Sequence, residues 1–336
     1  MTSVLSGGPS ESDAAPAVAS EPDGAPVSAS TSDLGPALSG AGPATASADD
    51  AADVVERFVR LLDLRAVEVD RFEGINPDAW PQRVFGGQVA AQALVAAGRT
   101  VDPARRVHSL HAYFVRPGEP VVPITYVVDR VRDGRSFSVR RCVAYQHEKA
   151  IFYMSASFQR AEDGLDHQTE APLDVPPPDG LRTLEDRLAA NPTRLALMGG
   201  WQRPFDVRYV EEPPWTGQGP IPASKHIRAW IRIKGRLPDD PLLHACALTY
   251  CSDLVLLESV VGVHGVGIGP GGVIGASLDH ALWFHRPFRA DEWFLYDCTS
   301  PSASGARGLA TGQMFTMDGR HIATAVQEGL LRRVGG

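Results

Sequence analysis

The feature that most constrains how this chain can fold is an internal repetition. Phe114-Val115-Arg116-Pro117 returns as Phe284-His285-Arg286-Pro287, 170 residues later. Ala156-Ser157-Phe158-Gln159 is echoed by Thr324-Ala325-Val326-Gln327 at a lag of 168, and Arg140 lines up with Arg307 at a lag of 167. Matches in one order at a nearly constant lag predict two copies of one helix-plus-sheet unit. A duplicated unit builds its own two-fold interface, where a ligand cleft can lie and the halves can specialise.

The pattern around each copy supports an α+β plan. Gly86-Gly87 opens a helix to Gly98 that is rich in small and apolar residues. Strand-like runs follow at 107–115, 123–131, 136–145 and 150–159, with turn residues such as Arg132-Asp133-Gly134 between them. In the second copy Pro238-Asp239-Asp240-Pro241 predicts the start of a helix of about 20 residues, roughly 30 Å long. Strands are then expected at 276–285, 293–300, 306–317 and 321–331, and 66–75 reads as one strand near the start. Strands in blocks argue against a doubly wound sheet. The plan that fits is a double hotdog: two antiparallel sheets, each wrapped around a long central helix and paired edge to edge. The expected divisions are a disordered acidic tail over 1–48, a first unit over 49–160, a Pro-rich linker over 161–204 and a second unit over 205–333.

Charge excludes several classes of partner. Seven of the 40 acidic residues fall within the first 52 positions, which hold no Lys or Arg, so the remaining 33 face 32 bases. A body so near neutrality implies neither an acidic nor a polybasic partner, and no nucleic-acid footprint is visible. No run of 18 apolar residues predicts a membrane span, and the first residues lack the basic start and apolar block of a secretory signal. Cys142, Cys246, Cys251 and Cys298 have no CxxC spacing and read as core thiols in a reducing cytoplasm.

Chemistry concentrates in the second half. Asp253 is the one formal charge in the apolar run Leu242–Leu257. Burying a carboxylate costs several kcal/mol unless donors surround it. Ser277 and Gln327, both among apolar strand residues, are candidate donors. Such a carboxylate can take a proton from water. The first helix has Gln88 and Gln92 but no acid from Phe85 to Thr100, so one site per chain is expected.

Several motifs are set aside. Gly267-Ile268-Gly269-Pro270-Gly271-Gly272 satisfies GxGxxG but follows a helix and precedes a strand, the reverse of a dinucleotide site. Asp279 and His280 are strand neighbours facing opposite ways, so they cannot act on one atom and are expected to brace the fold. His108 and His111 lack a third metal ligand, and no GxSxG elbow occurs. Arg83, Arg116, Arg140, Arg286 and Arg307 are read as ordinary ion-pairing groups.

The segments Arg83-Val84-Phe85-Gly86-Gly87-Gln88, Cys251-Ser252-Asp253-Leu254, the run from Ser277 to Pro287 and Thr324-Ala325-Val326-Gln327-Glu328-Gly329 resemble acyl-CoA thioesterase II. So does the Phe-Gln strand ending at Gln159, and the resemblance spans residues 55–333. It implies a tandem hotdog fold that hydrolyses fatty acyl-CoA to free acid and CoA without a cofactor or metal. It also implies an Asp, a Gln and a Thr holding the attacking water, at the positions of Asp253, Gln327 and Ser277. Ser stands where the family has Thr, keeping the hydroxyl and losing a methyl. The amides of Gly87 and Gln88, at a helix start, are the expected oxyanion donors. A homo-oligomer, dimer or tetramer, is expected in the cytoplasm. The alternative is an acyl-CoA-binding protein without hydrolysis. The Asp and His arrangement of hotdog enoyl-CoA hydratases is not seen.

Overall fold

A computed structural model describes residues 48–76, 83–172, 174–191, 203–215, 221–269 and 272–333. The expected acidic tail lies outside the described residues, apart from its last position. Helix α1 (Ala48–Leu62) turns Val54, Val55, Phe58, Leu61 and Leu62 inward, one face of a 3.6-residue period. The short strands β1 (Arg65–Glu68) and β2 (Arg71–Gly74) follow, then α2 (Gly86–Gly98) and the strands β3 (Arg105–Phe114), β4 (Ile124–Asp133), β5 (Phe137–Gln146) and β6 (Lys149–Arg160). The segment 66–75 is therefore a hairpin, not one strand, because Asp70 takes a left-handed turn with φ 58°.

After the short helix α3 (Leu184–Ala189), capped by Thr183, the second half repeats the series. It comprises β7 (Phe205–Tyr209), β8 (His226–Ile233), α4 (Pro241–Ser252), α5 (Glu258–Val263), β9 (Val273–Ser277), β10 (Asp279–Phe284), β11 (Phe294–Ser304), β12 (Arg307–Thr316) and β13 (His321–Arg333). All strand pairs are antiparallel, and the order is β1-β2-β4-β5-β6-β3-β10-β13-β12-β11-β8-β7, with β9 on β13. The order reads alike from either end, with β3 and β10 meeting in the middle. The two expected sheets are thus one continuous sheet of 13 strands.

Strand register corrects the repeat. Residues 111–130 and 281–300 share one succession of strand, turn and strand, which fixes Phe114 opposite Phe284 in the comparison. Phe114 pairs with Phe152 and Phe284 with Ala323, so four residues further on Ala156, not Gln159, corresponds to Gln327. Their partners in the next strand are Arg140 and Ala310, which restores a lag of 170. The echoes at 168 and 167 are coincidences of composition. Facing agrees: Arg140 is buried whereas Arg307 is half exposed.

Eleven of the thirteen residues of α2 and nine of the twelve of α4 are buried. The helices touch closely. A Cβ on Gly87 would lie 2.4 Å from the Tyr250 carbonyl oxygen, and one on Gly98 2.5 Å from Leu242. The expected 20-residue helix is broken in two, α4 ending at Ser252 and α5 starting at Glu258. Thr249 Oγ1 donates to the Ala245 carbonyl, back-bonding that weakens a helix end, and Ser252 Oγ lies 2.8 Å from the Thr249 carbonyl. Asp253 then takes φ −91°, ψ 2°, off the helical path. The four cysteines are buried and free.

Candidate active site

The helix break exposes Asp253 to a pocket of about 650 Å³ between the two halves. Phe85, Val89, Phe114, Phe152 and Leu254 give it apolar walls, and Asp253 and Ser277 reach into it. Gln327 Nε2 donates to Asp253 Oδ1 at 2.8 Å, and Ser277 Oγ donates to the same oxygen at 3.2 Å. The Gly87 N–H is a further donor to the carboxylate. Its position in the first turn of α2 adds the positive end of that helix. Oδ2 lies over Gly86, where a Cβ would come within 2.7 Å of it.

The three side chains singled out in the sequence are therefore in direct contact. Their exposure differs. Ser277 ends β9 and faces the pocket; it does not begin a long strand, because the chain breaks at Leu278 before β10. Gln327 is fully buried on β13 and stands behind the carboxylate rather than in the pocket.

Burial outweighs these donors and raises the Asp253 pKa above its ordinary value; His280 and the donors from Gln327, Ser277 and Gly87 pull the other way. Burial lowers the pKa of His280, opposed by Asp253. His280 was expected only to brace the fold. It lies inside, with Nε2 2.8 Å from Ser252 Oγ and Nδ1 3.2 Å from Gln327 Oε1. Its neighbour Asp279 points the other way and accepts from the Glu328 N–H at 2.7 Å. The alternation of β10 carried this signal, since it puts His280 on the inward face with Leu282.

The two expected oxyanion donors have partners within the protein. The Gly87 N–H is directed at Asp253, and the Gln88 N–H donates to the Phe85 carbonyl at 3.1 Å. The Gln88 side chain turns away, donating to Asn76 Oδ1 at 2.7 Å. Among the arginines, Arg140 binds Asp133 and the Thr100 carbonyl, Arg286 pairs with Asp166, and Arg307 pairs with Glu328. Arg83 and Arg116 line the pocket. Of the GxGxxG segment, Pro270 and Gly271 lie outside the described residues; the rest links α5 to β9 as a loop. No cluster of metal-ligating side chains occurs among the described residues, and no described helix is long and apolar enough to cross a membrane.

Residues 203–330 match the family described as acyl-CoA thioesterase, and residues 76–159 match the acyl-CoA thioesterase N-terminal domain. The chain is 39% identical over 287 residues to acyl-coenzyme A thioesterase 8 of Mus musculus, covering 81% of this chain and 88% of that protein. The chain belongs to the acyl-CoA thioesterase family. It is an enzyme of the thioester hydrolase class. Acyl-CoA thioesterase 2 of Haemophilus influenzae is 38% identical, covering 83% of this chain and 98% of its own. A crystal structure of an acyl-CoA thioesterase II from Mycobacterium marinum superposes with a TM-score of 0.66 at 41% identity, covering 83% of this chain and 98% of that one. A protein from Alicyclobacillus acidocaldarius described as having a hot dog fold superposes at a TM-score of 0.66 and 19% identity, which shows the fold. This family member thus carries a hotdog-type antiparallel sheet, with its pocket carboxylate in the second half.

Proposed function

We propose that the protein hydrolyses acyl-CoA thioesters to a free fatty acid and CoA, with Asp253 as general base. The observation that carries this is a pocket carboxylate beside Ser277, held from behind by Gln327. Water bound between Asp253 and Ser277 attacks the thioester carbonyl carbon. A C–O bond forms as one water proton passes to the carboxylate. The tetrahedral oxyanion then collapses, the C–S bond breaks, and the CoA thiolate leaves with that proton. The route needs no covalent enzyme intermediate. Gln327 keeps the carboxylate in place; Ser277 holds both carboxylate and water. The apolar wall from Phe85 to Leu254 suits an acyl chain.

In this reading residues 49–160 and 205–333 are the two hotdog units, each built on its helix, α2 or α4, and joined by 161–204. The palindromic strand order supports it. In the first unit Ala156 holds the place of Gln327, which leaves that half without a matching amide. Homo-oligomer assembly belongs to the same reading. It is supported by Tyr113 and Tyr153, paired across β3 and β6 and both exposed.

Free CoA released from thioesters of graded chain length tests the function. Turnover with apolar acyl chains is the expected result; saturable binding with no thiol release identifies a binding protein instead. The pH profile tests the base. Asp253 must be ionised to act, and its pKa is raised, so activity falls as pH falls through a value above the ordinary carboxylate range near 4. A kcat/KM profile that shows no acid limb down through the carboxylate range refutes Asp253 as the base.

A further inference from the structure

Four side chains are linked in series by three hydrogen bonds, and the backbone joins the two ends. Ser252 Oγ lies 2.8 Å from His280 Nε2, His280 Nδ1 lies 3.2 Å from Gln327 Oε1, and Gln327 Nε2 lies 2.8 Å from Asp253 Oδ1. Ser252 and Asp253, the two ends of the series, are adjacent at the end of α4. Ser252, His280 and Gln327 are buried, so no water competes for these links.

Counting protons shows what the series requires. The amide must present its NH₂ to the Asp253 carboxylate, since two oxygens at 2.8 Å would repel. Its oxygen then faces His280 Nδ1, which must carry a hydrogen. Burial disfavours the imidazolium, so a neutral ring with Nδ1–H leaves Nε2 as an acceptor. Only the Ser252 hydroxyl can supply that acceptor with a proton. The same hydroxyl also lies 2.8 Å from the Thr249 carbonyl. Should its hydrogen turn there, Nε2 must donate, Nδ1 becomes a lone pair against Gln327 Oε1, and the amide loses its reason to face Asp253 correctly.

We propose that His280 is a positioning residue, held by Ser252 as the neutral Nδ1–H tautomer, that fixes the amide of Gln327 and through it the reactive carboxylate. The assignment rests on the proposed role of Asp253. It explains why a buried histidine stands next to an amide that does not itself reach the pocket.

Two near-isosteres of the ring separate positioning from packing. In His280→Asn the amide nitrogen occupies the place of Nδ1 and still donates to Gln327. In His280→Gln it occupies the place of Nε2, meets Ser252 and leaves Gln327 Oε1 unpaired. The expected result is kcat within about tenfold of the parent for His280→Asn and about 100-fold lower for His280→Gln. KM should change little in either, since the loss is of alignment at the reacting centre. Equal losses at equal thermal midpoints overturn the assignment, as does full activity in both. The tautomer is read separately from the ¹⁵N shifts of the His280 ring in the full chain, identified by the signal lost in His280→Asn. A protonated Nδ1 with an acceptor Nε2, disturbed by Ser252→Ala, supports the relay. An imidazolium or an Nε2–H ring overturns it. Absence of thioester hydrolysis in the parent protein would refute the proposed function and leave this second measurement to decide the relay.

Discussion

Asp253→Asn is expected to lower kcat for acyl-CoA hydrolysis by about 10³-fold, the loss typical of a removed general base, with KM little changed. The shape of the site is kept, since Asn retains an oxygen where Gln327 and Ser277 donate. Stability should move the other way. The folded-state pKa of Asp253 is raised above its unfolded value, so its favourable contribution is fully present below the unfolded pKa and is lost as pH rises through the folded one. At neutral pH the parent protein therefore holds a carboxylate that folding disfavours, and the neutral amide removes that cost. Each kcal/mol recovered should appear as a rise of about 2 °C in Tm. Thiol-release kinetics and a thermal melt at neutral pH check both halves of the statement. Retained activity removes Asp253 from the mechanism; lost activity with a lower Tm points to damage to the scaffold instead.

Gly87→Ala should have the largest effect on stability. The new Cβ would lie 2.4 Å from the Tyr250 carbonyl oxygen and 2.5 Å from the Phe85 ring. The carbonyl is backbone within a buried helix and cannot step aside, so α2 must move off α4. Overpacking of this kind costs about 3 kcal/mol, a fall in Tm of roughly 5 °C for a chain of this size. Activity should fall as well, because the displaced N–H of Gly87 no longer supports Asp253. Gly180→Ala, where a Cβ meets nothing within 4 Å, is the control and should leave Tm unchanged. Equal melting temperatures for the two variants would show that the helices are not locked at this contact.

Register explains which parts of the fold were legible in the chain. Short motifs located both halves because they sit at equivalent corners, as Phe114 and Phe284 do at the ends of β3 and β10. Motif likeness alone sets Gln159 against Gln327 and Arg140 against Arg307, three residues out of register in each strand. A few residues of shift costs nothing in a string, yet an odd shift inverts which face of a strand is buried. The helix break at Ser252 was equally hard to read. Leu254 to Leu257 continue the apolar run, and only the back-bonded Thr249 hydroxyl and the pull of donors on Asp253 end the helix there.

Local composition by itself determined an α+β plan and one acid alone in an apolar run, with Ser277 and Gln327 as distant candidate donors. These follow from periodicity, turn chemistry and the cost of burying charge, all properties of neighbouring residues. The tertiary structure decided that Gln327 lies behind the carboxylate while Ser277 faces the pocket. It also turned the Gly87 N–H toward Asp253 and set His280 between Ser252 and Gln327. Such contacts depend on how α2, α4, β9, β10 and β13 meet in space, and a hydrogen bond is fixed by directions that sequence distance does not encode.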